Sequence, residues 1–131
     1  MTKQQDFSMW SVNFILFCLA NFLYYGAFYL YIPVLPQYVE MLGGTPADIG
    51  LVGGAFGLSS FIIRPYLGKL ANEWGRKRMM LLGTISFALL FLLFGRVTGV
   101  VPLVVLRLAH GVCLAMYLAA SAAYIADYAP V

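Results

Sequence analysis

The chain has 131 residues, of which 63% are hydrophobic, 16% aromatic and only 10% charged, with a mean hydropathy of +0.88. Soluble domains carry about 25% charged residues, and disordered chains lack the apolar and aromatic types that fill this one, so both classes are excluded and a membrane protein is left. The net charge of +3 is too small to assign a role until its placement is known.

Crossing about 30 Å of hydrocarbon takes about 20 mostly apolar residues at 1.5 Å per residue. Spans are expected at about 8–35, 46–70, 77–96 and 101–126. No charge occurs between Asp6 and Glu40. This first run is too long for a signal-peptide core and lacks a small-residue cleavage pattern after it, so it is read as a retained helix. Pro33 and Pro36 are expected to kink it and then end it. Thr45-Pro46-Ala47-Asp48 signals the start of the second span: a hydroxyl cap, proline in the first turn and an acid facing the positive helix end. Gly50, Gly53, Gly54 and Gly57 form two overlapping G-x-x-x-G pairs, read as a packing face within one bundle or as a homodimer seam. Arg64-Pro65 is expected to kink this helix near its inner end and to let the arginine snorkel.

The third span lies between Arg78 and Arg96, and the short link Gly95 to Gly99 makes the third and fourth spans an antiparallel hairpin. Arg107 and His110 interrupt the fourth. Lys69, Arg76, Lys77 and Arg78 crowd the connection between the second and third spans, and Lys3 precedes the first. Basic residues stay on the cytoplasmic side, which places both ends of this chain there and accounts for the cluster without nucleic acid. Cys18 and Cys113 sit in apolar runs and read as small buried hydrophobes rather than a disulfide. No metal-ligand spacing, phosphate loop or nucleotide motif is found, and no cofactor is expected.

The inner connection, G-K-L-A-N-E-W-G-R-K-R from Gly68 to Arg78, resembles the signature loop of the major facilitator superfamily, G-x-L-A-D-R-x-G-R-R/K. R-L-A-H-G-V-C-L-A, Arg107 to Ala115, is similar to the fourth-helix pattern R-x-x-Q-G-x-G-A-A of its proton-coupled members, and Y-I-A-D-Y-A-P, Tyr124 to Pro130, to the segment leaving that helix. The resemblance implies an all-α membrane fold of twelve helices in two six-helix halves, with substrate bound between them and alternating access. This chain would supply the first four helices, an amino-terminal portion of such a transporter in the inner (plasma) membrane. Its partners would be a small organic solute or drug, protons, the lipid bilayer and the remainder of the protein. The implied activity is proton-coupled antiport or multidrug export. In the family an acid of the loop, the arginine after its second glycine and an acid at the end of the fourth helix form a charged cluster. By the resemblance these fall at Asn72, Arg76 and Asp127, with Gly68, Gly75 and Lys77 completing the loop. Asn72 replaces the acid, and an Arg76–Asp127 contact is expected, with Asn72 free to cap the third span.

Arg107 is the most expensive residue to insert, at roughly 3 kcal/mol for a central arginine, so it either faces the protein interior or snorkels outward. The family match favours an interior cavity. An arginine there binds an anionic group or lowers a neighbouring carboxyl pKa, and stays protonated itself. His110, three residues on, is either a hydrogen-bonded packing residue or a proton-responsive or substrate-contacting group at the family's glutamine position. Counting rises from the inner ends puts Tyr24 and Tyr25 of the first span level with Arg107 and His110, with Asn21 nearby, as an aromatic and polar wall for cationic or amphipathic solutes or as a packing seam.

Two rivals differ in class. A four-helix homodimeric exporter fits the length, but such proteins need a carboxylate within the first span, and none is present. An intramembrane serine protease pairing Ser59 or Ser60 with His110 lacks the closing glycine of G-x-S-G, and rise counting puts serines and histidine at different depths. A non-transporting structural membrane protein is the remaining alternative.

Overall fold

The computed structural model describes residues 11 to 128, with the backbone alone for Asp127 and Tyr128; Lys3 and the end of the chain lie outside the described residues. Its helices are α1 (Val12–Tyr31), α2 (Val34–Met41), α3 (Pro46–Trp74), α4 (Arg76–Leu93) and α5 (Val100–Tyr128), with a 3-10 turn at Phe94–Arg96. No strand occurs among the described residues. Four helical stretches are long and apolar enough to cross a membrane: Val12–Tyr31, Pro46–Trp74, Arg76–Arg96 and Val100–Ala126. The chain is a multi-pass membrane protein.

The first span departs from expectation at its carboxyl end. Ser11 caps α1 by accepting from the Phe14 amide, and the helix breaks after Tyr31, but the chain then turns helical again as α2. Pro36 lies in the first turn of α2 and does not end a helix; there its missing amide has no intrahelical bond to lose. Tyr38 of α2 donates from its hydroxyl to the Phe94 carbonyl, tying α2 to the turn after α4. Gly43, at φ +79°, then supplies the left-handed residue that reverses the chain.

At the start of α3, Thr45 and Asp48 form a reciprocal capping box: the Asp48 amide donates to Thr45 Oγ1 and the Thr45 amide donates to Asp48 Oδ2 at 2.7 Å. Pro65 sits inside one continuous α3, which runs to Trp74, past the expected end at 70. Gly75 separates α3 from α4 at φ +89°, a conformation that disfavours any side chain. Asn72 does not cap the third span: it lies exposed in the last turn of α3, and α4 begins at Arg76, after Gly75, without a side-chain cap.

The core is built on α5, more than half of whose apolar window is buried, whereas α1 has 11% of its window buried. Two glycines let helices close on it. A Cβ on Gly111 of α5 would overlap Ser59 Oγ and the Phe56 carbonyl of α3, and one on Gly83 of α4 would lie 3.1 Å from the Cys113 carbonyl and the Tyr117 amide of α5. The glycines singled out from the sequence do not have this role among the described residues. A Cβ at Gly50, Gly53, Gly54 or Gly57 meets nothing within 4 Å, because these four positions lie on the exposed face of α3, away from α5.

Candidate functional site

α5 carries the two polar residues that matter most, and its packing against α3 and α4 buries both. Arg107 is 3% exposed and His110 fully buried. An arginine at this depth is stable only when its charge finds partners other than lipid. The Arg107 guanidinium carbon lies 4.4 Å from the centre of the Phe56 ring on α3 and 5.5 Å from that of Tyr31 on α1. Nε donates to the Val52 carbonyl at 3.5 Å, the outer limit for a hydrogen bond. Nη1 is buried with no hydrogen-bond partner, and among the described residues no carboxylate pairs with the guanidinium. Of the two readings of Arg107, the interior one is what the structure shows; outward snorkelling is not.

His110 points toward α4. Its Nε2 lies 3.1 Å from the Phe87 carbonyl, and its ring stacks on Phe87 at a centroid distance of 4.4 Å and an interplanar angle of 16°. In the neutral ring this bond places the proton on Nε2 and leaves Nδ1, which has no partner, as the acceptor. This is the hydrogen-bonded packing arrangement. The direction of the ring also corrects the reason for discounting a serine protease. Ser59 and Ser60 lie level with Gly111, beside His110 in sequence, so depth does not separate them. The imidazole faces Phe87 of α4, while the Ser59 hydroxyl lies on α3 against Gly111 and donates instead to the Phe56 carbonyl at 3.0 Å.

Tyr24 and Tyr25 are not level with Arg107. Tyr24 stacks face to face on Tyr117 at 4.0 Å, and Tyr25 meets Tyr117 edge-on at 6.4 Å, ten residues beyond Arg107 along α5. Tyr31 occupies the level assigned to them. The count starts the first span near residue 8 and the fourth near 126, whereas α1 begins at Val12 and α5 runs to Tyr128, and counting from those ends pairs Tyr24 with Tyr117. Asn21 keeps to its own helix, donating to the Phe17 carbonyl at 2.9 Å. A cavity of about 520 Å³ opens between α1, α4 and α5, walled by Tyr24, Phe87, Phe91 and Tyr117, with Thr84 at its edge. It lies on the side of Tyr24, not at the Arg107 guanidinium.

At the end of the bundle that carries the connection between α3 and α4, Arg76 donates from Nη1 to the Ala123 carbonyl near the end of α5, a position where a cation is favoured by the helix dipole. The side chain of Asp127 lies outside the described residues, so the expected Arg76–Asp127 contact does too. Lys77 is exposed, and Gly68 sits within α3 with open space where its side chain would be. No group of three or more His, Cys, Asp or Glu side chains that could hold a metal ion is found among the described residues. Phe56, Tyr31, Phe87 and Gly111 were not singled out in the sequence. Only the register of Arg107, His110 and Gly111 along one helix hints at three neighbours of different kinds.

The comparisons agree with this architecture. The family model described as Major Facilitator Superfamily matches residues 17–131. Over 98 residues, 75% of this chain and 24% of the relative, the chain is 35% identical to multidrug resistance protein 2 of Bacillus subtilis. Over 101 residues, 77% of this chain and 26% of the relative, it is 37% identical to quinolone resistance protein NorA of Staphylococcus aureus. The chain thus spans about a quarter of the length of these curated relatives. A motif-bearing loop between α3 and α4, four apolar spans and a match over nearly the whole sequence lead to one conclusion: the chain belongs to the Major Facilitator Superfamily.

Proposed function

We propose that this chain forms the first four spans of a secondary transporter that exports small organic solutes from the cell in exchange for protons. The observation that carries the reading is an arginine held inside the bundle on α5, in a chain of a transporter family whose relatives are named for resistance to multiple drugs and to quinolones. In this reading the substrate binds between these spans and the remainder of the transporter, and access alternates by rocking one half on the other. Arg107 offers its unpartnered Nη1 to an anionic group, either on the solute or on an acid of the remaining spans. It does not carry the proton, because a guanidinium stays protonated in any plausible site. No acid lies in the hydrocarbon part of the first span, so the carboxyl that exchanges protons belongs to the remaining spans. The basic residues Lys69, Arg76, Lys77 and Arg78 support a cytoplasmic position for the connection between α3 and α4 and for both ends of this chain at the plasma membrane.

The test is efflux of a fluorescent dye from cells expressing a transporter that contains these four spans, with and without a protonophore. Energised efflux that collapses with the proton gradient and falls at least about tenfold in Arg107→Ala supports the reading, a factor equivalent to about 1.4 kcal/mol. Efflux indifferent to the gradient removes the proton coupling. Efflux untouched by Arg107→Ala removes the role of Arg107.

A further inference from the structure

A buried cation without an acid partner is the feature of this molecule that most needs a physical explanation. Charged groups are kept inside proteins when paired with opposite charge, coordinated, or fully hydrogen-bonded. Arg107 has none of these among the described residues: one long hydrogen bond from Nε, and a buried Nη1 with no partner. It has two aromatic faces instead. Phe56 and Tyr31 come from different helices, α3 and α1, and both put their rings within the distance at which a guanidinium is attracted to the negative face of a π system. The arrangement is itself supported: Phe28 stacks on Phe56 at 5.4 Å, and Phe91 and Phe94 each meet Tyr31 edge-on at 5.1 Å.

We propose that Phe56 and Tyr31 are positioning residues that hold the Arg107 guanidinium inside the bundle by cation–π attraction, in the place where a carboxylate would otherwise stand. A carboxylate would neutralise the guanidinium and occupy its N–H groups. The rings attract the charge without accepting hydrogen bonds as a carboxylate would, and Nη1 is left buried without a partner. Phe56 lies closer and is the stronger of the two. It also binds the two halves of the seam: its backbone carbonyl accepts from Ser59 Oγ and lies against Gly111, so the ring, the close helix approach and the arginine share one turn of α3. The inference concerns how the charge is held, and it stands or falls independently of whether the complete protein moves a solute.

The experiment measures the rate at which phenylglyoxal modifies Arg107 in the chain reconstituted into phospholipid vesicles, followed on the peptide that contains it, with Arg96 as the exposed internal reference. Phe56→Leu removes the ring at similar bulk and is expected to raise the Arg107 rate about fivefold or more relative to Arg96, while Phe56→Trp keeps the protection. Because Phe56→Leu could disturb the seam, the deciding series replaces Phe56 with phenylalanines bearing one, two and three ring fluorines. These preserve shape and drain the negative face stepwise. A rate that climbs with each fluorine while the helical circular dichroism is constant supports the proposal. A rate flat across the fluorinated series shows that Phe56 acts by packing alone and overturns it. Tyr31→Phe, which keeps the ring, is expected to leave the rate within about twofold of the parent, and a larger rise would shift the role from the ring to the hydroxyl and contradict the proposal.

Discussion

On the side of α3 that faces α5, Gly111 brings two backbones so close that a methyl group there would strike the Phe56 carbonyl and Ser59; on the opposite side of α3, Gly50, Gly53, Gly54 and Gly57 face open space. The same residue type is therefore a structural requirement in one place and, within these four spans, a liability in the other. Glycine costs helix stability through its backbone freedom. That cost is offset only where the missing side chain lets something approach. Along the seam, the approach carries Ser59, Phe56 and the arginine beside it. Along the bare face, nothing among the described residues takes advantage of it.

Substitutions of increasing gentleness probe this difference, with stability measured by steric trapping in bicelles. The largest effect is expected at Gly111→Ala, where the Phe56 backbone carbonyl stands in the way beside Ser59 Oγ and cannot swing aside as a side chain could: about 3 kcal/mol of destabilisation. A neutral outcome would mean that α3 and α5 do not meet there. Gly83→Ala should cost about 1.5 kcal/mol, since at 3.1 Å the backbone of α5 has to retreat by only a few tenths of an ångström. Thr45→Ala, which removes one half of the capping box at the start of α3, is expected to lower stability by about 1 kcal/mol. Gly54→Ala reverses the sign, gaining about 0.5 kcal/mol in this chain through helix propensity alone. Loss of stability in Gly54→Ala would mean that a partner, such as a second copy, already covers that face.

The membrane class, the four spans and the cap at Thr45 were legible in the sequence because each rests on local chemistry: apolar length, charge placement, and a hydroxyl three residues before an acid. The signature loop was legible as a motif, and Gly75 adopts the left-handed conformation its position requires. What the sequence hid depends on direction and register. Four clustered glycines advertised a packing face more loudly than the isolated Gly83 and Gly111, but spacing says which residues share a face and not what that face meets. Tyr24 and Arg107 were placed at one depth because span ends read from apolar runs were misplaced: α1 begins at Val12 rather than near 8, and α5 runs to Tyr128 rather than 126. His110 and the serines at 59 and 60 were held apart by the same arithmetic, when their separation is in fact the direction the imidazole points. Asn72 fits a cap by type, yet α3 runs past it to Trp74.

The central claim is that α5 turns Arg107 and His110 into a protein interior and Val101 and Val105 toward lipid. A nitroxide scan along α5, in a background with Cys18→Ser and Cys113→Ala, tests it through collision with dissolved oxygen, which concentrates in the hydrocarbon. Labels at Val101 and Val105, which are 75% and 61% exposed, should be strongly relaxed by oxygen, and labels at Leu103, Leu106, Arg107 and His110 should be shielded. Equal relaxation at Arg107, His110 and Val105 would put the arginine against lipid and contradict the claim.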